Sequence, residues 1–273
     1  MEHPSKILKR LDISPLKRFG QNFLINQNPV KKIVRFLEEE NNILEIGPGL
    51  GVITDMLLNK KKLILCEKDN TLSSFLEKKY LQNKNIKIIN DDFLKVEPIE
   101  FKQKKITAVI SNLPFYITTD IIIRIVKDMS FIQFMLVGMQ KEVAERILKK
   151  EGSSLAVFLN LTGDTKKAGL VSRNNFYPVP EVDSVWILWT RNNEFKKQEI
   201  EKLEFLLRAS FWGKRKKMSN NLKKNPFFNS SKNKDEILRC VDSLFSDSIG
   251  KSMMSERPDN LSKDDFLYIL KFF

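Results

Sequence analysis

The chain has 273 residues, of which 42% are hydrophobic and 30% charged, enough for one large and one small packed domain. No apolar run nears the roughly 20 residues of a membrane span, and residues 1–10 lack the apolar stretch of a secretory signal, so a cytosolic protein is expected. The net charge of +13 favours polyanionic partners, and the two cysteines, Cys66 and Cys240, are too few for a disulfide framework.

The first 24 residues are basic and polar with scattered apolar positions, and residues 1–27 read as an arm that orders on binding. Asn28-Pro29 opens a helix to about residue 39, with proline in its first turn. Residues 43–46 form a short buried strand that ends in a glycine turn, followed by a helix over 52–59 and a strand over 63–67. A helix over 70–81 is capped by Asn70, and strands follow at 86–90 and 106–111. Then come a helix at 118–127, a strand at 131–137 and a charge-paired helix at 140–150. Residues 153–161 suit helix or strand, and the serine start favours helix. Strands near 166–171 and 184–190 flank the turn Phe176-Tyr177-Pro178-Val179-Pro180.

This alternation predicts an α/β domain over 28–192 with a doubly wound parallel sheet and ligand sites at the strands' C-terminal ends. Residues 191–199 read as a polar linker, and 200–273 as a small all-α domain without strands. Residues 191–273 hold 18 Lys and Arg against 12 Asp and Glu, about twice the positive charge per residue of the rest.

Four strand-end features carry the chemistry. Glu45-Ile46-Gly47-Pro48-Gly49-Leu50-Gly51 lets a ligand approach the backbone, but its G-x-G-x-G spacing misses the dinucleotide fingerprint by one position. Glu67, 20 residues after Gly47, can accept two ribose hydroxyls and suits NAD as well as S-adenosylmethionine. In Asn90-Asp91-Asp92-Phe93, alternation turns one aspartate into the cleft, where a carboxylate can accept an adenine amino group. The fourth is Ser111-Asn112-Leu113-Pro114-Phe115-Tyr116. The amino nitrogen of adenine is a poor nucleophile because its lone pair is delocalised. The Asn112 side-chain oxygen and the Leu113 carbonyl can draw that nitrogen toward tetrahedral geometry, and Phe115 can stack a base rotated out of its helix. Methyl transfer then needs proximity rather than a strong base. The only histidine, His3, lies in the N-terminal tail, which excludes a Ser-His-Asp triad and a His-rich metal site.

With these motifs in view, the chain resembles the KsgA family of small-subunit (16S) ribosomal RNA adenine dimethyltransferases. The resemblance runs nearly end to end. It includes Lys17-Arg18-Phe19-Gly20-Gln21-Asn22-Phe23-Leu24, Met139 to Arg146, Phe176-x-Pro-x-Pro-x-Val182-Asp183-Ser184, and Arg208-Ala209-Ser210-Phe211 with 213–222. It implies a Rossmann-like class I S-adenosylmethionine-dependent fold with a seven-stranded sheet. It also implies cofactor contacts by Asn22, Leu24, Gly47, Gly49, Glu67, Asp92 and Asn112. Target contacts would come from Asn112, Leu113 and Phe115, with Phe176 as a second aromatic wall. The implied product is N6,N6-dimethyladenine at two adjacent adenines of the assembling 30S particle, and no seam suggests anything but a monomer.

Two positions depart from the family. Many relatives have Tyr at Phe115, and the family glycine before the acidic cofactor residue is Asp91 here. Lys214, Arg215, Lys216, Lys217, Lys223 and Lys224 offer a phosphate-binding face, while Phe211 and Trp212 suit a core better than an RNA stack. The rival readings are an Erm-type large-subunit RNA methyltransferase, a DNA adenine methyltransferase, and a non-catalytic assembly factor.

Overall fold

The computed structural model describes residues 2–14, 21–58, 62–114, 116–150, 152–213, 215–224 and 234–273. The chain divides into two compact units, one of residues 1–145 and 165–191, the other of residues 146–164 and 192–273.

The first unit is built on strands β1 (Phe23–Leu24), β2 (Asn42–Ile46), β3 (Lys62–Glu67), β4 (Ile86–Asn90), β5 (Ala108–Asn112), β6 (Phe134–Gln140), β7 (Gly163–Val171), β8 (Phe176–Tyr177) and β9 (Ser184–Arg191). Seven of them form one sheet in the order β4-β3-β2-β5-β6-β9-β7. The pairs β4/β3, β3/β2, β2/β5 and β5/β6 are parallel, and β9 runs antiparallel to β6. Central strands have both faces covered, which is why β2, β3 and β5 read as near-continuous apolar runs. β4, at the edge, is only half-buried. From β2 the chain builds outward to β3 and β4, then returns to place β5 on β2's other side. That reversal opens a crevice at the carboxyl ends of β2 and β5.

The N-terminal segment is not a bare arm. Pro4–Arg10 is a helix with proline at its start and His3 as cap, the ring accepting from Ser5 N–H. Its Ile7 and Leu8 are buried with Phe23, Leu50 and Leu72, and His3 lies edge-on to Tyr177, so this histidine is held rather than in a loose tail. The helix expected at 28–39 is a turn of α-helix, Lys31–Val34, followed by a 3-10 turn, Arg35–Leu37. The helix Asn70–Lys79 is capped by Asp69, not Asn70, because the Asp69 carboxylate accepts from both Thr71 and Leu72 N–H. Pro98–Gln103 adds a helix that apolar periodicity missed, although its leading proline signals one.

Arg191 belongs to β9 rather than a linker. Its buried guanidinium donates to the carbonyls of Ile132 at 2.7 Å and Val126 at 3.1 Å, and to those of Ile125 and Met129. Those carbonyls include the C-terminal end of the helix Thr118–Asp128. In the second unit, residues 153–161 resolve as helix Ser154–Thr162, its first turn capped by the Ser153 hydroxyl. This helix, expected within the sheet domain over 28–192, groups with the C-terminal helices and contacts Lys197–Ser210 and Lys263–Leu270. No helix among the described residues is long and apolar enough to cross a membrane.

Candidate active site

Parallel strands bring their carboxyl ends to one edge of the sheet, so the turns after β2, β3, β4 and β5 face a shared cleft. That cleft has a volume of about 340 Å³. Its walls include Asn22, Leu24, Gly47, Gly49, Glu67, Asp92 and Asn112, joined by Glu45, Lys68, Asp91 and Tyr116. Asn22 and Leu24 arrive there because β1 pairs with β8, Leu24 opposite Phe176.

The glycine turn needs its glycines for conformation. Gly47 and Gly49 have φ of 64° and 57°, the left-handed region that side chains resist. A Cβ on Gly49 would also stand 3.1 Å from the Phe23 ring, whereas one on Gly47 would meet nothing within 4 Å. The turn is braced from behind. Gly47 N–H donates to the Cys66 carbonyl at 2.9 Å. Lys79 Nζ donates to the Leu50 carbonyl at 3.0 Å, and the Tyr80 hydroxyl lies 3.0 Å from the Gly51 carbonyl. Asp55 holds both Lys79 and Tyr80 from the far side.

Several carboxylates line the cleft in different states. Glu67 is 7% exposed and accepts Gly49 N–H at 3.1 Å and Asp69 N–H at 3.0 Å. Burial raises its carboxyl above the ordinary range against those two donors, and each oxygen keeps lone-pair capacity. Glu45 was not expected as a site residue, yet it lines the cleft at 2% exposure. The Thr54 hydroxyl donates to it at 2.6 Å, and burial pushes its carboxyl up to about 8, so it holds a proton at neutral pH. A charged residue inside the apolar run Ile43-Leu44-Glu45-Ile46 was the signal. Both Asp91 and Asp92 line the cleft, rather than one of them. Asp92 accepts from Lys68 Nζ at 2.8 Å and from Leu94 N–H at 3.0 Å. Burial alone would raise its carboxyl, but the Lys68 and Leu94 bonds outweigh it and leave Asp92 below the usual carboxylate range.

The turn after β5 is fixed on several sides. Ser111 Oγ donates to the Ile46 carbonyl at 2.7 Å, tying it to the end of β2. Leu113, 1% exposed, donates its N–H to the Gly138 carbonyl at 2.9 Å, and the Thr118 hydroxyl donates to the Pro114 carbonyl at 3.0 Å. Against this fixed frame one atom is unmatched. Asn112 Oδ1 is buried and has no hydrogen-bond partner among the described residues. A buried amide oxygen in that state costs about 1–3 kcal/mol, a cost removed when a donor enters.

Phe115 lies outside the described residues, while its neighbour Tyr116 lines the cleft and is 48% exposed. Phe176 departs from the expected wall: it is 1% exposed, packs in the core with Leu24, Val30 and Trp186, and does not line the cleft. Pairing of β8 with β1 turns its ring inward. In the second unit, Lys214 lies outside the described residues, and Arg215, Lys216, Lys217, Lys223 and Lys224 are exposed. Lys216 Nζ sits 4.1 Å from the centroid of the Trp212 ring, and Lys223 reaches Asp242 at 3.4 Å. Phe211 is partly buried and stacks on the buried Phe266, whereas Trp212, expected in a core, is 38% exposed.

The strand order, the antiparallel β9 beside β6 and the four strand-end turns define a Rossmann-like methyltransferase fold. The model of the family "Ribosomal RNA adenine dimethylase" matches residues 15–241, and the chain belongs to that family. It is 43% identical over 214 residues to "Ribosomal RNA small subunit methyltransferase A" of Malacoplasma penetrans, covering 76% of this chain and 77% of the relative. To the protein of the same name from Borrelia garinii subsp. bavariensis it is 36% identical over 272 residues, covering 97% and 90%. Among solved structures it is similar to a dimethyladenosine transferase from Plasmodium falciparum, with TM-score 0.71, 25% identity, and coverage of 92% and 97%.

Proposed function

We propose that this chain dimethylates the N6 amino group of two adjacent adenines near the 3′ end of small-subunit (16S) ribosomal RNA, using S-adenosylmethionine, during assembly of the 30S particle in the cytosol. The family match and the names of the relatives support the reaction and the RNA class. The single observation that carries the site assignment is the buried, partnerless Asn112 Oδ1 in a cleft of ligand size.

The residues present fit the cofactor. Glu67 has acceptor capacity for two ribose hydroxyls, Asp92 for the adenine amino group, and Gly47 offers open space. When bound, S-adenosylmethionine supplies an electrophilic methyl carbon on a sulfonium that leaves as a neutral thioether. Asn112 Oδ1 and the Leu113 carbonyl accept the two N–H groups of the target amine, drawing the nitrogen toward tetrahedral geometry and aiming its lone pair. Phe115 stacks the extruded base. The proton left on the nitrogen after transfer passes to solvent, so no strong base is needed. Arg215, Lys216, Lys217, Lys223 and Lys224, with Lys214, hold phosphates outside the cleft.

The test is Asn112→Ala with purified small subunits lacking the mark. Methylation is expected to fall about 100- to 1000-fold, as when one transition-state hydrogen-bond partner is lost, while binding to the particle persists. Unchanged methylation removes Asn112 from the chemistry. Labelling of large subunits in place of small ones transfers the chain to the Erm-type reading.

A further inference from the structure

The residue after Glu67 is a lysine, and its charge lands on the acceptor assigned to the cofactor's adenine. β3 and β4 pair in register with Glu67 opposite Asn90, so the turns that follow place Lys68 beside Asp91 and Asp92. Lys68 and Asp92 both line the cleft. The ammonium lies 2.8 Å from Asp92 Oδ2, with the lysine side chain 63% exposed and the aspartate 18%.

Lys68 is not needed to aim this carboxylate. Oδ1 is already held by Leu94 N–H at 3.0 Å within the same turn. What Lys68 does is take one of the two lone pairs of the oxygen that the backbone leaves open and draw charge from it, on the carboxylate assigned to the cofactor's adenine amino group. We propose that Lys68 is an affinity-determining residue, a displaceable ion that competes with the cofactor's adenine amino group for Asp92 and weakens retention of the adenosyl moiety. This rests on the assignment of the cleft as the cofactor site. A dimethylase must exchange its spent cofactor between successive transfers to one nitrogen, and a competing cation at the mouth favours that exchange. The lysine end of the pair is mostly exposed, so the effect is modest and salt-sensitive.

The experiment is calorimetric titration of the intact protein with S-adenosylhomocysteine, which carries the same adenosyl group and reports binding without turnover. Wild type, Lys68→Met, Lys68→Arg and Asp92→Asn are compared at about 0.05 M and about 1 M NaCl, where the Debye length falls from above 10 Å to about 3 Å. Lys68→Met is expected to bind roughly two- to fivefold more tightly at low salt, with the difference vanishing at high salt. Lys68→Arg should resemble wild type, and Lys68→Met should give no gain when combined with Asp92→Asn. If wild type binds but Lys68→Met binds equally or more weakly at low salt, the competition is overturned and the cleft assignment stands. If wild type does not bind at all, the cleft assignment itself fails and the competition with it.

Discussion

Asn112 and Glu45 show how a strand-end residue acquires chemistry from burial rather than from type. Ser111 Oγ and Leu113 N–H are both tied down, so the backbone that presents Asn112 is fixed on each side while its side-chain oxygen lies buried without a partner among the described residues. Glu45 solves the opposite problem by keeping its proton, since burial places its pKa near 8. The folded state therefore binds a proton more tightly than the unfolded chain. The stability this contributes is complete below the ordinary carboxyl value of 4.5 and is lost as pH rises through about 8. Wild type should accordingly lose melting temperature relative to Glu45→Gln between pH 5 and pH 9. Parallel melting curves across that range would contradict a protonated Glu45.

At the scale of elements, the helix Thr118–Asp128 starts four residues beyond Pro114 and ends under Arg191. The guanidinium makes charge-assisted bonds to helix-end carbonyls, and burial lowers its pKa only to about 10, so it stays charged. Arg191→Met should destabilise the fold by about 2–4 kcal/mol in urea unfolding, and Lys should rescue little, having no planar fork for several carbonyls. A loss below about 0.5 kcal/mol would reduce Arg191 to packing. Little of this element-level wiring is legible in the sequence. The strands are, because buried parallel strands demand runs such as Leu63-Ile64-Leu65-Cys66, and so are the turns that follow them, because glycines and Asn-Leu-Pro stand out at strand ends. Phe176, Arg191 and the cap Asp69 escape such reading. The first two depend on partners more than 50 residues away, β1 and the helix Thr118–Asp128, and the third on which of two adjacent side chains the turn aims at the helix.

At the scale of the whole molecule, the charge of +13 predicts a steep salt dependence of RNA affinity. Five exposed basic residues of the second unit, Arg215, Lys216, Lys217, Lys223 and Lys224, set its scale. Filter binding to small-subunit RNA at 50 and 200 mM salt should show a fall of roughly 10- to 1000-fold, and neutralising Arg215, Lys216 and Lys217 together should flatten the slope. A salt-independent affinity would exclude this face.

The two units also exchange chain: residues 146–164 interrupt the sheet unit and belong with residues 192–273. The helix Ser154–Thr162 has eight of its nine side chains buried and finds its partners among helices encoded after residue 192. Evolution or engineering thus cannot swap the C-terminal part by a single crossover. A chimaera must carry two matched cassettes, or it strands an oily helix from one parent against foreign neighbours.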